Sequence, residues 1–189
     1  PFFEYQKDTT GDKCNYYSLC ISRIDFDKNI DMILQANKNL EEEKKIYLFG
    51  AENRLYVHHK LKDMDFEKYW MGKYPKNLPM KYEGKDLLDN CAFVVDMSII
   101  VGDGGGTQYT FLEAIYHKCA LILHKDWVEK GDLFKNGTNC FVVGYTDNIG
   151  EEISNIINKG IDGEYKTVVK NASKLLKTHT KELWKDIFP

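Results

Sequence analysis

The feature that most constrains the fold is a regular alternation between short apolar segments and segments with helical periodicity. The apolar segments KKIYLFGA (44–51), FVVDMSII (93–100) and ALILHKDW (120–127) predict buried strands. Helical segments such as DKNIDMILQANKNL (27–40) lie between them, with acidic residues in capping positions. Nearly continuous apolar strands that alternate with helices indicate a parallel sheet covered on both faces. The predicted fold class is therefore α/β, a Rossmann-like three-layer α/β/α arrangement with a mainly parallel sheet.

The remaining segments extend the same pattern along the chain. The other expected elements are a strand at 15–24, a helix at 53–64, a third strand at 66–72, a short helix at 85–92, a short strand at 140–143, and closing helices at about 148–159 and 163–186. Ligands of such folds bind at the carboxyl ends of the strands, in the loops that lead into helices.

Length and charge limit the kind of protein this chain can be. Its 189 residues fit one domain, 1–189, with 163–189 as a closing C-terminal helix. A net charge of −3 argues against broad electrostatic binding to nucleic acid or to an anionic membrane. Any anionic ligand is therefore expected to meet a local cluster of donors.

Cysteine usage and hydropathy indicate a cytoplasmic protein. The five cysteines are odd in number and scattered, without a CxxC pair, which is typical of reduced, buried thiols. No apolar run approaches the roughly 18 residues that cross a bilayer, and no signal peptide is visible, so no membrane span is expected. Pro1 in place of Met fits a piece of a longer protein.

The segment GDGGGTQYTFLEAIYHKC (102–119) combines a glycine loop with a helix. Its four glycines lie between Gly102 and Gly106, directly before a helix-periodic run. Such a loop lets backbone N–H groups approach a phosphate or a sugar, and the helix N-terminus adds partial positive charge. Thr107 stands where the third glycine of a dinucleotide fingerprint would lie, and no P-loop lysine follows. The structural alternative is a flexible turn with Thr107 as the N-cap.

Glu113 within that helix allows two interpretations. Thr110 and Glu113 have the spacing of a capping box, which would make the acid purely structural. The apolar periodicity of YTFLEAIY (109–116) favours an earlier helix start, near Thr107. Glu113 would then face the loop and could accept hydrogen bonds from a diol such as a ribose.

An ordered set of segments resembles the retaining GT-B glycosyltransferases of the family 4 type. FLEAIYHKCALIL and LFKNGTNCFVV resemble the family's LEAMAxGxPVI and DGxNGxLV segments, and ISRIDFDKNIDMILQA resembles its GRLxxxKG segment. KKIYLFG, YWMG and LLDNCAFVVDMS match further strands, in order, so that the resemblance runs from about residue 19 to 160. It implies the C-terminal, nucleotide-sugar-binding half of a GT-B fold. The departures described below suggest a divergent member, of viral or phage type.

The resemblance also implies roles for individual residues. Arg23 and Lys28 match the catalytic cations that neutralise the donor diphosphate and stabilise the leaving nucleotide. Glu113 matches the second acid of the E-x7-E motif, which holds the ribose. The other residues expected to bind the nucleotide sugar are Gly72, Gly104, Gly105, Gly106, Thr107 and Gln108.

Several positions depart from the family pattern. Gly105 stands where the first acid of E-x7-E, which binds the hydroxyls of the donor sugar, is expected. Sugar recognition must then differ, for instance through the backbone N–H groups of 104–107. Lys118, Ala120 and Cys140 replace a Gly, a Pro and a Gly of the family motifs.

Other metal-like or histidine motifs are given structural interpretations. Asp25-Phe26-Asp27 has the D-x-D spacing of metal-dependent transferases, but a helix cap near Lys28 is the simpler reading, and no metal site is expected. The second triplet, Asp63 to Asp65, lies in a charged turn. His58 and His59 are expected on a solvated face, whereas His124 lies near the expected cleft, where ligand contact and a structural role are equally supported.

The leading functional hypothesis is a glycosyltransferase of the hexosyltransferase type, of which this chain is the donor-binding half. The expected donor is a nucleotide-diphosphate sugar, a UDP-sugar above all, with no cofactor. The acceptor is a glycan, a protein or a modified nucleic acid, and the N-terminal GT-B domain is the expected partner. Two alternatives stay open, a GT-B-fold nucleotide-sugar epimerase and a non-catalytic, degenerate domain that binds a partner.

Overall fold

Six strands form one parallel sheet in the computed structural model, which describes residues 17–72, 87–99, 109–129 and 131–179. The strands are β1 (Ser18–Ile21), β2 (Ile46–Phe49), β3 (Trp70–Gly72), β4 (Phe93–Asp96), β5 (Ala120–His124) and β6 (Phe141–Val143). Their order is β3-β2-β1-β4-β5-β6, and every neighbouring pair is parallel. The predicted Rossmann-like α/β fold with a parallel sheet is confirmed.

Helices connect the strands. They are α1 (Ile30–Lys38), α2 (Arg54–Tyr56, continued by a π-helix Val57–Leu61), α3 (Phe66–Tyr69), α4 (Tyr109–Tyr116), α5 (Asp126–Glu129), α6 (Ile149–Lys159) and α7 (Gly163–Ala172). Short 3-10 helices occupy Phe26–Lys28, Glu42–Lys44 and Ser173–His179. Among the described residues, no helix combines the length and the apolar character needed to cross a membrane.

The chain reverses direction across the sheet between β1 and β4. From β1 it moves outward through β2 to β3, and after β3 it returns to the centre as β4 and moves the other way to β6. Right-handed crossovers in opposite directions place α1 and α4 on opposite faces of the sheet. Accordingly, α1 packs on α6, and α4 packs on the 3-10 helix Ser173–His179. In folds of this class, such a reversal forms a crevice at the carboxyl ends of the two central strands, here β1 and β4, and ligands bind there.

Two buried polar side chains lock α1 to β2. Lys45, which is 8% exposed, donates from Nζ to the carbonyl oxygens of Asn37 (2.6 Å) and Leu40 (2.5 Å) at the C-terminus of α1. Asn37 exchanges two hydrogen bonds with the backbone of Ile46, at 2.9 and 2.8 Å. A cation at a helix C-terminus also compensates the partial negative charge of the last carbonyl groups. These contacts hold the C-terminus of α1 in place, and the N-terminus of α1 follows the turn after β1.

Several expected elements differ from the structure because tertiary contacts decide them. In 66–72, only Trp70–Gly72 is a strand, since Phe66 and Tyr69 are both buried from α3 at helical spacing. In 85–92, the described residues from Leu87 onward form a turn instead of a helix. The carbonyl oxygen of Leu87, which a helix would use internally, accepts from the Tyr17 hydroxyl at 2.8 Å. The expected helix at 163–186 ends as α7 at Ala172, followed by 3-10 turns to His179.

The described cysteines are buried and form no disulfide, as expected for reduced thiols. They are Cys20, Cys91, Cys119 and Cys140, and burial raises the pKa of the Cys20 and Cys140 thiols to about 12. Thiols with a raised pKa are poor nucleophiles at neutral pH. The cysteines therefore act as small core residues.

A substitution at Gly50 tests how closely the backbone after β2 approaches the backbone after β1. A Cβ at Gly50, where φ is 153°, would lie 1.8 Å from the Ser22 carbonyl oxygen. We expect Gly50→Ala to lower the free energy of unfolding by about 3 kcal/mol or more, because backbone must move to relieve the clash. Gly163→Ala is the matched control, since its Cβ would meet nothing within 4 Å. The control should change stability by less than about 1 kcal/mol. Equal losses in urea unfolding of the two variants would contradict this account.

Candidate functional site

Arg23 and Lys28 converge on one carboxylate at the carboxyl end of β1. The Arg23 guanidinium lies 3.2 Å (Nη1) from Asp25 Oδ2 and 3.5 Å (Nη2) from Asp27 Oδ2. Lys28 Nζ lies 3.2 Å from the same Asp27 oxygen. The structure therefore brings the two predicted cations together, and Asp27 Oδ2 lies between them. Two cations and two carboxylates leave this cluster with no net charge.

Asp25 holds the turn that carries these side chains. Its Oδ1 accepts hydrogen bonds from the Phe26 N–H (2.8 Å) and from the Asn53 side-chain amide (2.9 Å). These two bonds, the backbone one foremost, lower the pKa of the Asp25 carboxyl. Asp25 is thus the N-cap of the 3-10 helix Phe26–Lys28. The triplet caps a helical turn as expected, but not α1, which begins at Ile30 after Asn29.

The β1 turn is tied to the segment that follows β4. The Asn29 amide donates to the Met97 carbonyl oxygen at 2.9 Å, and the Ile99 N–H donates to the Asp27 carbonyl oxygen at 3.0 Å. Asn29 itself has a left-handed backbone conformation (φ 46°), which Asn adopts more readily than most residues. These bonds place Arg23 and Lys28 at the crevice between β1 and β4.

A buried carboxyl group, Asp96, lies at the end of β4. It is 3% exposed and accepts a hydrogen bond from the Ser98 N–H at 2.8 Å. Burial raises the pKa of Asp96, although the nearby charge of Lys28 acts in the opposite direction. Sequence reasoning missed Asp96 as a member of the site. The only signal was an acid inside an otherwise apolar strand.

The position of Thr110 bears on one of the two interpretations of Glu113. Thr110 lies inside α4, which already includes Tyr109, so it is not the N-cap, and the capping-box alternative is wrong. Its Oγ1 is buried without a hydrogen-bond partner among the described residues. Glu113 is half-buried in the next turn of α4, and its carboxylate makes no ion pair with Arg23 or Lys28 in the described part of the chain. A ribose-binding role for Glu113 stays a prediction.

The glycine predictions divide into two groups. Gly104, Gly105, Gly106, Thr107 and Gln108 lie outside the described residues. Gly72 ends β3 with a φ of 79°, and its carbonyl oxygen accepts from the Gly50 N–H at 2.8 Å. Gly50 was missed as a residue of this edge, although a glycine directly after an apolar strand was visible in the sequence. Its missing Cβ is what allows the ends of β1 and β2 to approach.

The predicted histidine positions differ in burial. His124 is 8% exposed at the end of β5, with Nδ1 3.4 Å from Asp126 Oδ1, and it packs against Gly144. His58 and His59 are exposed, which confirms the expected solvated face. Within the described ranges, no three His, Cys, Asp or Glu residues are grouped so that they could hold a metal ion.

Exposed apolar side chains surround the carboxyl edge of the sheet. Among the described residues, the large apolar side chains that remain exposed all follow a strand on this edge or begin the helix behind it: Phe26, Leu55, Ile99, Tyr109 and Tyr145. The Phe26 ring is held edge-on against Tyr56, with centroids 5.0 Å apart. Sequence periodicity does not reveal this rim, because its members lie at element boundaries. Where such exposed apolar side chains form a contiguous patch, the patch marks ligand or domain contacts.

Solved structures with a similar fold are GT-B glycosyltransferases. A complex of Anabaena Alr3699/HepE with UDP and glucose matches with a TM-score of 0.67 and 19% identity, covering 92% of this chain and 47% of that chain. A TarM variant from S. aureus, in complex with Fondaparinux, α-GlcNAc-glycerol and UDP, matches with a TM-score of 0.68 and 14% identity, covering 99% and 38%. The C-terminal domain of the glycosyl transferase group 1 family protein LpcC from Francisella tularensis matches with a TM-score of 0.60 and 18% identity, covering 88% and 86%.

These similarities are similarities of fold. The chain spans less than half the length of the HepE and TarM chains, but most of the LpcC C-terminal domain. No protein-family model matches the chain, and neither does any curated protein sequence. The chain therefore has the fold of one Rossmann-like half of a GT-B glycosyltransferase.

Asp96 generates a pH-dependent prediction. The pKa of Asp96 is higher in the folded protein than in the unfolded chain. Between these two pKa values, the folded protein binds more protons than the unfolded chain. The stability of the fold therefore falls as the pH rises from the ordinary carboxyl pKa through the raised one. Asp96→Asn keeps an acceptor for the Ser98 N–H but carries no charge. We expect the variant to be more stable than the wild type at pH 7, with a difference that shrinks as the pH falls toward 4. Urea unfolding at both pH values, with the exposed Asp63→Asn as control, measures this. A variant that is less stable at pH 7 would show that Lys28 outweighs desolvation.

Proposed function

We propose that this chain is the donor-binding domain of a glycosyltransferase of the hexosyltransferase type that uses a nucleotide-diphosphate sugar, with a UDP-sugar as the favoured donor. The observation that carries the proposal is the pairing of Arg23 and Lys28 at the crevice where the strand order reverses. Proteins with this fold, including HepE and TarM, have been crystallised with UDP. The retaining, family 4-like assignment rests on the ordered sequence motifs.

In this proposal the two cations act on the leaving group. Transfer breaks the bond between the sugar's anomeric carbon and the β-phosphate oxygen, so that negative charge grows on the departing diphosphate. Fixed cations beside that oxygen stabilise the transition state more than the ground state. Glu113 accepts hydrogen bonds from the ribose hydroxyls, and the segment 104–108 with Gly72 contacts the nucleotide sugar. With Gly105 in place of an acid, backbone N–H groups meet the donor sugar.

The complete reaction requires a second domain. In the proposed enzyme, an N-terminal GT-B domain faces the carboxyl edge of the sheet, excludes water and orients the acceptor. The acceptor is a glycan, a protein or a modified nucleic acid. The 189-residue chain, a single cytoplasmic domain without a cofactor, then binds nucleotide but transfers no sugar by itself.

A non-catalytic, partner-binding domain is the second candidate. The observation that favours it is the neutralisation of Arg23 and Lys28 by Asp25 and Asp27, which leaves no excess positive charge in the described part of the crevice. The first acid of the E-x7-E motif is also replaced by Gly105. Nucleotide binding separates the two candidates.

Arg23→Ala tests the diphosphate contact. Loss of a hydrogen bond to a charged group costs about 1.5–3 kcal/mol, so we expect UDP affinity to fall by about tenfold or more in calorimetric titration. Arg54→Ala is the matched control, because Arg54 is a fully exposed arginine of α2 with only a distant partner, Glu52, at 3.9 Å. If neither UDP nor GDP binds the wild-type chain at millimolar concentration, the proposed function is wrong.

Glu113→Ala tests the ribose contact. We expect UDP binding to weaken by about 1–3 kcal/mol while the thermal transition stays close to that of the wild type. The second ligand is 2′-deoxy-UDP. If Glu113 holds the 2′-hydroxyl, the variant and the missing hydroxyl should not weaken binding additively. Fully additive losses would place Glu113 away from that hydroxyl.

A further inference from the structure

One carboxylate oxygen occupies the position between the two cations of the crevice. Asp27 Oδ2 lies 3.5 Å from Arg23 Nη2 and 3.2 Å from Lys28 Nζ, the arrangement expected of a phosphate oxygen held by both. A diphosphate that binds there must replace the Asp27 carboxylate in its ion pairs with Arg23 and Lys28. Asp27 is therefore a fixed anion in the position that a ligand anion requires.

The backbone prevents this carboxylate from moving far. The Asp27 carbonyl oxygen accepts from the Ile99 N–H at 3.0 Å, and the preceding Asp25 caps the 3-10 helix that contains Asp27. Lys28 Nζ is also confined, since its side chain is only 12% exposed. Because its backbone is anchored, an Asp27 side chain that rotates out of this position remains within a few ångströms of a ligand that replaces it.

We propose that Asp27 is a specificity-determining residue that disfavours the nucleoside diphosphate product relative to the nucleotide-sugar donor. This inference rests on the proposed function. A donor carries two negative charges on its diphosphate. When the glycosidic carbon–oxygen bond breaks, the electron pair stays on the β-phosphate oxygen, which gains a third charge above its last pKa of about 6.

Repulsion by a fixed anion grows with the charge of the ligand. Asp27 therefore raises the free energy of the bound product more than that of the bound donor. Asp27 supports product release in this way.

The test compares three ligands that differ in charge but not in base. Uridine carries no charge, the β-methyl ester of UDP carries the two charges of a donor without a sugar, and UDP carries three at pH 8. Their dissociation constants are measured with the wild-type chain, with Asp27→Asn, and with Glu164→Gln. The last variant removes one negative charge from a surface pair with Lys159, on α6 and α7. Asn replaces Asp without a change of shape, and circular dichroism verifies that each variant is folded.

The expected result for Asp27→Asn is a graded gain in affinity. Uridine binding should not change, the methyl ester should bind about threefold tighter, and UDP about tenfold tighter, with Glu164→Gln like the wild type. A variant that binds UDP more weakly would make Asp27 a residue that aligns the cations, and this result would overturn the proposal. An equal change for all three ligands, or no change, would also overturn it. If the wild-type chain binds none of the ligands, the proposed function fails first and this inference with it.

Discussion

β1 pairs with β2 along one side and with β4 along the other, and the position of the candidate site depends on this double pairing. Ser18 lies opposite both Ile46 and Phe93, so the three strands end together at one edge. All residues of β2 and β4 are buried, so a one-residue slip would move each side chain to the opposite face and disrupt its packing in the core. The turn after β1 and the segment after β4 consequently meet at the edge, and their backbones are joined by hydrogen bonds.

The electrostatics of the crevice are balanced within the chain. Two cations that resemble the diphosphate-binding pair of a glycosyltransferase are already occupied by two carboxylates of the same turn. One of these carboxylates, Asp25, is needed to cap the 3-10 helix, and the other lies between the cations. In the proposed site, a ligand must therefore compete with an internal anion, which favours a polyanion that can engage both cations at once. Selectivity in such a site depends on the charge difference between ligand and carboxylate as much as on the number of cations.

Local patterns predicted the elements whose residues satisfy their own periodicity. The helix within 27–40 and the strands around Ile46–Phe49 and Ala120–His124 formed as expected, since each buries an apolar face that is visible in the sequence. The prediction failed where distant residues compete for the same groups. In the segment 85–92, the Leu87 carbonyl oxygen, which a helix would use internally, accepts from the distant Tyr17 hydroxyl. Phe66 and Tyr69 bury their rings from the short helix α3. The aromatic-rich segment 66–72, which was expected to be a strand, is therefore a helix followed by the short strand β3.

By itself, the sequence determined the alternation of strands and helices and the parallel sheet, because hydrophobic periodicity is set along the chain. The pairing of Arg23 and Lys28 was expected from the resemblance to a glycosyltransferase family. Only the tertiary structure decided what surrounds those cations. Asn53, after β2, donates a hydrogen bond to the Asp25 carboxylate, and the Ile99 N–H, after β4, donates to the Asp27 carbonyl oxygen. The missing Cβ of Gly50 allows the turn after β1 to approach closely. The physical reason is that these contacts join residues 28 to 72 positions apart in the sequence. Hydrogen bonds and steric contacts between such segments form only when the strands have paired in the order seen in the sheet.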